Sequence, residues 1–330
     1  MNILIVGSTG QLGYTIVRKL SESKSNHSIF AGHREKSNTK PLEMLPNVDF
    51  RLLDLLDHKS FRAALKGMDI LICTATTATP TQKGDDLKRT DEEGIKALID
   101  ASKEAGVKQF IYVSALPFSQ FEETVPLSRA KRQVENHLKA SGLTYTILQP
   151  TAFMEVYFAF FGTTLPLHGT EVNTVSRPFK FSNDFFAGIK YDIEQKGTFN
   201  IIGKGDRKNA FISVENVADF CIASIGNPKA FDRTLEIGGP EGLSPLEVKG
   251  IFEKLYNKPI KVKSTPPFVI RMMSKILPLF NPAAGNIMAL NYAVANNDAL
   301  PKAMQQTAEE FGVSLIHPEE FLRKKFEIRS

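Results

Sequence analysis

Cysteine is almost missing from this chain: its 330 residues hold two, Cys73 in an apolar strand-like run and Cys221 in a helix-like one. They show no C-x-x-C spacing, and the six histidines are too few and too scattered to complete a ligand set, so neither a disulfide framework nor a metal site is expected. Two isolated thiols fit a reducing, cytoplasmic setting. No uninterrupted apolar run reaches the roughly 18 to 20 residues that a membrane span requires. The first residues, Met1-Asn2-Ile3-Leu4-Ile5-Val6-Gly7, lack the charged, apolar and small-residue regions of a secretory signal, so translation is expected to start at the first strand of the fold. Neither charge sign dominates, because 36 acidic residues are dispersed among 41 basic ones for a net charge of +5. A concentrated basic face is therefore not expected, nor is nucleic acid as a partner, although a mildly basic surface leaves room for an anionic ligand. Internal repeats and low-complexity linkers are missing too, and 42% hydrophobic with 23% charged residues argues against disorder.

What is present is alternation. Short β-branched runs at 3–6, 28–32, 49–53, 70–73, 110–113 and 145–148 read as strands. Between them, 12–23, 60–65, 90–105 and 127–141 carry apolar residues at three- and four-residue spacing and read as helices. Repeated βαβ units of this kind build a parallel sheet. Past Pro150 the regularity breaks: 151–173 is aromatic and punctuated by Gly and Pro, 214–225 is helix-like, and short strands are predicted at 198–202, 211–213 and 234–237. The expectation is an α/β protein with a doubly wound parallel-sheet Rossmann fold over residues 1–150 and a smaller C-terminal α+β substrate domain or lid over 151–330, some segments of which return to the sheet.

The strongest local signal is Gly7-Ser8-Thr9-Gly10-Gln11-Leu12-Gly13, a G-x-x-G-x-x-G run directly after a strand and directly opening a helix. Gly7 permits the tight turn, Gly10 lets backbone approach a pyrophosphate, and Gly13 lets the helix pack closely on the sheet. The helix N-terminus then offers unpaired N–H groups and a partial positive charge to phosphates. No Gly-Lys-Ser/Thr follows, which excludes a Walker loop. The end of the second strand separates the dinucleotides, since a ribose hydroxyl calls for Asp or Glu and a ribose phosphate for Arg. Gly32-His33-Arg34-Glu35-Lys36-Ser37 offers Arg34 and Lys36 to a phosphate, so NADP(H) is the expected cofactor and NAD(H), favoured by Glu35, the lesser alternative. Asp54 and Leu55 stand where a doubly wound domain meets adenine, with turn-capping as the other reading of Asp54. Thr74, Ala75 and Thr76 end the fourth strand on the nicotinamide side.

The glycine run, Arg34, the helix containing Gly94 that leads into 106–114, the segment 141–150 and the run Thr234-Leu235-Glu236-Ile237-Gly238-Gly239-Pro240 together resemble the NmrA-like family of atypical short-chain dehydrogenases/reductases, over about four-fifths of the chain. The resemblance implies NADP(H) binding without fixing an activity, because such families include quinone, azo-dye and isoflavone-type reductases as well as redox sensors that bind the dinucleotide without turning it over. In members with full chemistry a Ser, a Tyr and a Lys cooperate, the Tyr moving the proton and the Lys one helical turn later holding the ribose. Here Ser114 ends the fifth strand and Lys131 is in register, but the Tyr position is Leu127. The candidate catalytic residues are therefore Lys131 and Ser114, with Lys131 also a cofactor contact, and alcohol dehydrogenation by the usual Tyr mechanism is not expected.

Hydride transfer to a quinone-like acceptor survives that loss, because ring stacking supplies most of the organisation and solvent can deliver the proton. Phe153, Met154 and Tyr157, after the last regular strand, are the candidate walls of a flat apolar substrate pocket, with Phe153 also against the nicotinamide as the resemblance implies. The stretch 266–295 reads as a pocket cover or as an amphipathic surface. The expected function is an NADP(H)-dependent oxidoreductase with a small apolar acceptor; the alternative is a non-catalytic NADP(H)-binding redox sensor acting through a protein partner.

Overall fold

The computed structural model describes residues 1–23, 26–80, 82, 84–170 and 180–329. Nine strands are found among them: β1 (Asn2–Val6), β2 (Ser28–His33), β3 (Val48–Leu52), β4 (Ile70–Cys73), β5 (Gln109–Val113), β6 (Thr144–Pro150), β7 (Thr198–Ile202), β8 (Arg233–Ile237) and β9 (Lys261–Thr265). Seven form one sheet in the order β3-β2-β1-β4-β5-β6-β8, every pairing parallel. β7 and β9 make a separate parallel pair. The helices in chain order are α1 (Gln11–Glu22), α2 (Lys40–Glu43), α3 (Phe61–Leu65), α4 (Ile95–Glu104), α5 (Pro126–Ala140), α6 (Met154–Ala159), α7 (Lys180–Ile189), α8 (Asp192–Lys196), α9 (Val214–Ala223), α10 (Pro245–Tyr256), α11 (Pro267–Ile276), α12 (Pro282–Asn296), α13 (Met304–Phe311) and α14 (Pro318–Arg329).

The central strands are continuous apolar runs because both faces of a parallel sheet are covered by helices. Side chains alternate between the faces. Ile3, Ile5, Ile72, Ile111 and Leu148 pack with Ile16 and Val17 of α1 and Val217 and Phe220 of α9. Leu4, Leu71, Phe110, Tyr112 and Ile147 pack with Phe61 of α3, Leu98 of α4 and Val134 of α5. A third core, rich in phenylalanine, lies under the C-terminal half: Phe161 stacks on Phe199 at 4.4 Å between ring centroids and Phe158 meets Phe211 edge-on at 5.0 Å. Met154 is fully buried in this core.

Two predicted elements take a different form, and one strand is new. The strand expected at 211–213 is a single parallel bridge, Phe153 to Ile212, in which Ile212 N–H donates to Ala152 and Met154 N–H to Ile212. The helix expected at 90–105 begins earlier, as a π-helical stretch from Leu87 to Gly94, and becomes α-helical at Ile95. β9 was not anticipated, since Lys-Val-Lys-Ser-Thr is almost wholly exposed and has no apolar alternation. No helix among the described residues is long and apolar enough to cross a membrane.

Candidate functional site

Chain order reverses between β1 and β4, and at the carboxyl ends of these strands the loops diverge to leave a crevice. A cavity of about 510 Å³ occupies it, running from Arg34 and Asp54 past the glycine loop to Phe153, Tyr157 and α12. That volume is within the range of small-molecule and cofactor sites.

Gly7, Thr9, Gly10, Gln11, Leu12 and Gly13 all line the cavity. Gly7 has φ +87°, and a Cβ there would stand 2.9 Å from both Ala75 N and Thr74 Oγ1; a Cβ on Gly13 would be 2.2 Å from the Gly7 carbonyl oxygen. Neither position admits a side chain, so loop, helix and β4 are drawn tightly together. Ser8 Oγ pins the loop to β2 by donating to the Gly32 carbonyl at 2.8 Å. Gly10, the N-cap of α1, brings no side-chain cap, so the first-turn N–H groups are left for an anion. The sheath continues into the C-terminal half, where Gln11 Nε2 donates to Thr170 Oγ1 at 3.1 Å.

At the far end, Arg34 lines the cavity with His33 and Ser37. Its guanidinium is ion-paired with Asp85, whose side chain is only 1% exposed, and Asp85 Oδ2 also accepts from Gln82 N–H at 3.0 Å. Lys36 is exposed and does not line the cavity, contrary to its expected role beside Arg34. The reason is a tight turn: Ser37 N–H donates to the Arg34 carbonyl at 3.0 Å and Arg34 N–H to Ser37 Oγ at 3.2 Å, which turns the central residues Glu35 and Lys36 to solvent. Asp54 and Leu55 line the cavity, but one Asp54 oxygen is occupied by Leu56 N–H at 2.9 Å, the turn-capping arrangement.

Thr74, Ala75, Thr76 and Thr77 form the wall after β4. Thr74 Oγ1 donates to the Val6 carbonyl at 3.1 Å. Thr76 Oγ1 donates to Asp91 Oδ1 at 2.6 Å, and Asp91 Oδ2 accepts Thr77 N–H at 2.8 Å. Asp91 is buried, which pushes its carboxyl pKa up, while Lys131 and the two threonines oppose the shift. Lys131 is itself 4% exposed; its Nζ donates to the Val113 carbonyl at 3.0 Å and sits 4.8 Å from the Tyr112 ring centroid. Burial lowers the Lys131 pKa, and the Asp91 carboxylate partly restores it.

Ser114 lines the cavity near Lys131, yet its hydroxyl accepts from Arg132 Nη2 at 3.0 Å. Arg132 also pairs with Glu135 at 2.9 Å and Glu122 at 3.2 Å, and Glu135 accepts Gln149 Nε2 at 2.9 and 3.0 Å. This network was not anticipated. Its signal in the sequence is the i, i+3 spacing of Arg132 and Glu135 on an amphipathic helix; the contribution of Gln149 from β6 has no local signature.

Beyond Lys131 the cavity turns apolar. Leu127 lines it with Leu116, Phe118, Phe153, Val156 and Phe160. Tyr157 stacks on Phe211 at 5.1 Å and meets Phe161 edge-on at 5.4 Å, and burial pushes its phenol well above the ordinary value. Met154 does not reach this chamber: α6 begins at residue 154, and one turn of helix directs it with Phe158 into the core while Phe153, Val156 and Tyr157 face the cavity. Its expected place in a substrate pocket is therefore corrected. Ile287, Leu290, Asn291 and Val294 of α12 close the chamber, and Asn286 Oδ1 accepts Leu127 N–H at 3.0 Å to hold that helix against α5.

Fold and cavity together define a Rossmann-type protein with a built site at its topological switch point. The chain belongs to the NmrA-like family, whose model matches residues 1–322. Among curated relatives, the prestalk A differentiation protein A of Dictyostelium discoideum is 24% identical over 326 residues, covering 99% of this chain and 93% of that one. The photosystem II assembly factor Ycf39 of Trieres chinensis is 25% identical over 285 residues, covering 85% and 77%. Among solved structures, an NADPH-dependent quinone oxidoreductase from Escherichia coli complexed with NADPH superposes with a TM-score of 0.73 at 19% identity, covering 98% of this chain and 99% of that one. At that identity the superposition shows the shared fold.

Proposed function

We propose that this protein is an NADP(H)-dependent oxidoreductase that passes hydride to a small, flat, apolar acceptor of quinone-like chemistry. The observation that carries this reading is one continuous cavity with an arginine at one end, an uncapped helix N-terminus in the middle and an apolar, aromatic chamber at the other. The residues present fit a dinucleotide: Gly7 and Gly13 let the loop, α1 and β4 pack closely enough to set the glycine loop against the cavity, and the α1 N-terminus, which no side chain caps, suits a pyrophosphate. Arg34, exchanging Asp85 for a ribose phosphate, supplies a planar fork that a lysine would not. Asp54, Leu55 and His33 flank the adenine end. Lys131, with Thr74, Ala75 and Thr76, holds the ribose and nicotinamide side, Ser114 standing beside it.

When bound, the reduced nicotinamide supplies a hydride, and the acceptor takes that hydride together with a proton from solvent. The task of the chain is to orient and to exclude water. Phe153, Tyr157 and Leu127 present apolar surface against which a flat ring stacks at contact distance. No hydroxyl stands at position 127 to exchange a proton with an alcohol, so acceptors whose reduced form needs a positioned proton donor are poor candidates. Steady oxidation of NADPH by a panel of quinones, with no oxidation by simple ketones, is the expected result.

A second reading has its own observation. Leu127 at the proton-donor position, and a relative described as a photosystem II assembly factor, suit a protein that binds NADP(H) and alters its grip on a protein partner. Tight NADPH binding without turnover by any quinone would favour it over the reductase.

A further inference from the structure

Helix α11, the 3₁₀ turn Leu277–Leu279 that follows it and the next residue, Phe280, carry five large apolar side chains that stand exposed among the described residues. Phe268, Met272, Ile276, Leu279 and Phe280 are between 47 and 83% exposed. The first three recur every four residues, which places them in one stripe along the outer face of the helix, opposite the buried Ile270. Isolated exposed apolar residues are ordinary on a soluble protein, but a contiguous stripe is not.

The charges around the stripe indicate what covers it. Between 254 and 297 there is no Asp or Glu, whereas Lys254, Lys258, Lys261, Lys263, Arg271 and Lys275 all occur. Arg271 and Lys275 fall three residues after Phe268 and Met272 and are exposed along the edge of the stripe. Lys261 and Lys263 are exposed on β9, which leads directly into α11. A second copy of this chain would set these basic rows against each other with no acid in the segment to answer them. An apolar ridge flanked by cations matches instead an anionic phospholipid surface, into whose interface the side chains of a short helix sink while lysine and arginine meet the headgroups.

We propose that α11 and the turn after it form a monotopic docking surface for anionic membranes, with Phe268, Met272, Ile276, Leu279 and Phe280 entering the interface and Arg271 and Lys275 pairing with lipid phosphates. Behind α11 packs α12, the helix whose inner side closes the apolar chamber, so membrane contact would be made one helix from the site. The docking stands whether or not that chamber turns over a substrate.

The test is flotation of the full chain with vesicles of phosphatidylcholine alone and of phosphatidylcholine mixed with phosphatidylglycerol. Expected is binding to the mixed vesicles, weakened by salt, with a loss of about tenfold in partitioning for the pair Leu279→Ser and Phe280→Ser and a comparable loss for Arg271→Gln with Lys275→Gln. All four side chains are exposed, and Arg271 adds only a cation–π contact at 5.8 Å from the Tyr292 ring centroid, so thermal unfolding should shift little. Failure of the wild-type chain to float with the mixed vesicles would overturn the proposal. So would flotation indifferent to both pairs of substitutions, or sedimentation showing a dimer that the Leu279/Phe280 pair converts to monomer.

Discussion

Under the proposed function Arg34 has two anions to choose between. In the structure its guanidinium pairs with the buried Asp85 carboxylate, and binding of a ribose phosphate must draw it away while leaving a carboxylate nearby. Replacing Arg34 with Ala should weaken NADPH binding by about 1.5 to 3 kcal/mol, the size of a lost charge-assisted contact, and leave NADH nearly unaffected. Asp85→Asn should act in the opposite direction, tightening NADPH by about 1 kcal/mol because the competing charge is gone, again with little effect on NADH. Calorimetric titration of both variants with both dinucleotides checks the pair; equal shifts for NADPH and NADH would dissociate Arg34 from the phosphate. Arg34 is legible in the sequence by its position after the second strand. Asp85 is not, because its contact reaches across 51 residues and leaves no local pattern. Lys36 and Met154 show the converse: each has the right chemistry in the right segment, and a turn in one case and a helical phase in the other point it elsewhere.

Among the elements, α9 carries an unusual cap. Both carboxylate oxygens of buried Glu155 accept the N–H of Val214, its first residue, at 3.0 and 3.1 Å, and burial raises the Glu155 pKa from 4.5 to about 7. Below pH 4.5 the carboxyl is protonated in the folded and unfolded chain alike, and its full contribution to stability is present. Between 4.5 and 7 the unfolded chain ionises first, so stability falls as pH rises, and above 7 the loss is complete at up to about 3 kcal/mol. Glu155→Gln keeps a carbonyl for Val214 without the charge. Denaturant unfolding across this range should show the wild type losing stability relative to the variant as pH rises; parallel curves would contradict a raised pKa. Most strands and helices of the first half are legible because the central parallel strands are largely apolar and the helices between them amphipathic. The stretch at 211–213 has the residues of a strand but pairs at a single bridge, and β9 has strand geometry without strand composition. The π-helical start of the segment at 87–94 places Asp91 against Thr76 and Thr77, a register that α-helical spacing does not anticipate.

For the whole molecule, the parallel sheet and its switch point follow from the βαβ order and the glycine run, and with them the position of the cavity. The floor of the site is thus readable from the first half of the chain. Its roof is not: α12 arrives from more than 150 residues beyond Lys131, and the apolar pattern that marks 266–295 as a cover does not say which side faces the cavity and which faces outward. The structure separates the two, giving Leu290 and Val294 to the chamber and Phe268 and Phe280 to the surface. The proposed function requires both ends of one cavity to work together, with the cofactor at Arg34 and the acceptor at Tyr157. The most direct measurement is titration of the purified protein with NADPH and with NADH, followed by addition of menadione and observation of the absorbance of the reduced nicotinamide. Tighter binding of NADPH and its steady oxidation once menadione is present are expected; saturable NADPH binding with no oxidation, by menadione or by other quinones, would overturn the proposed reductase.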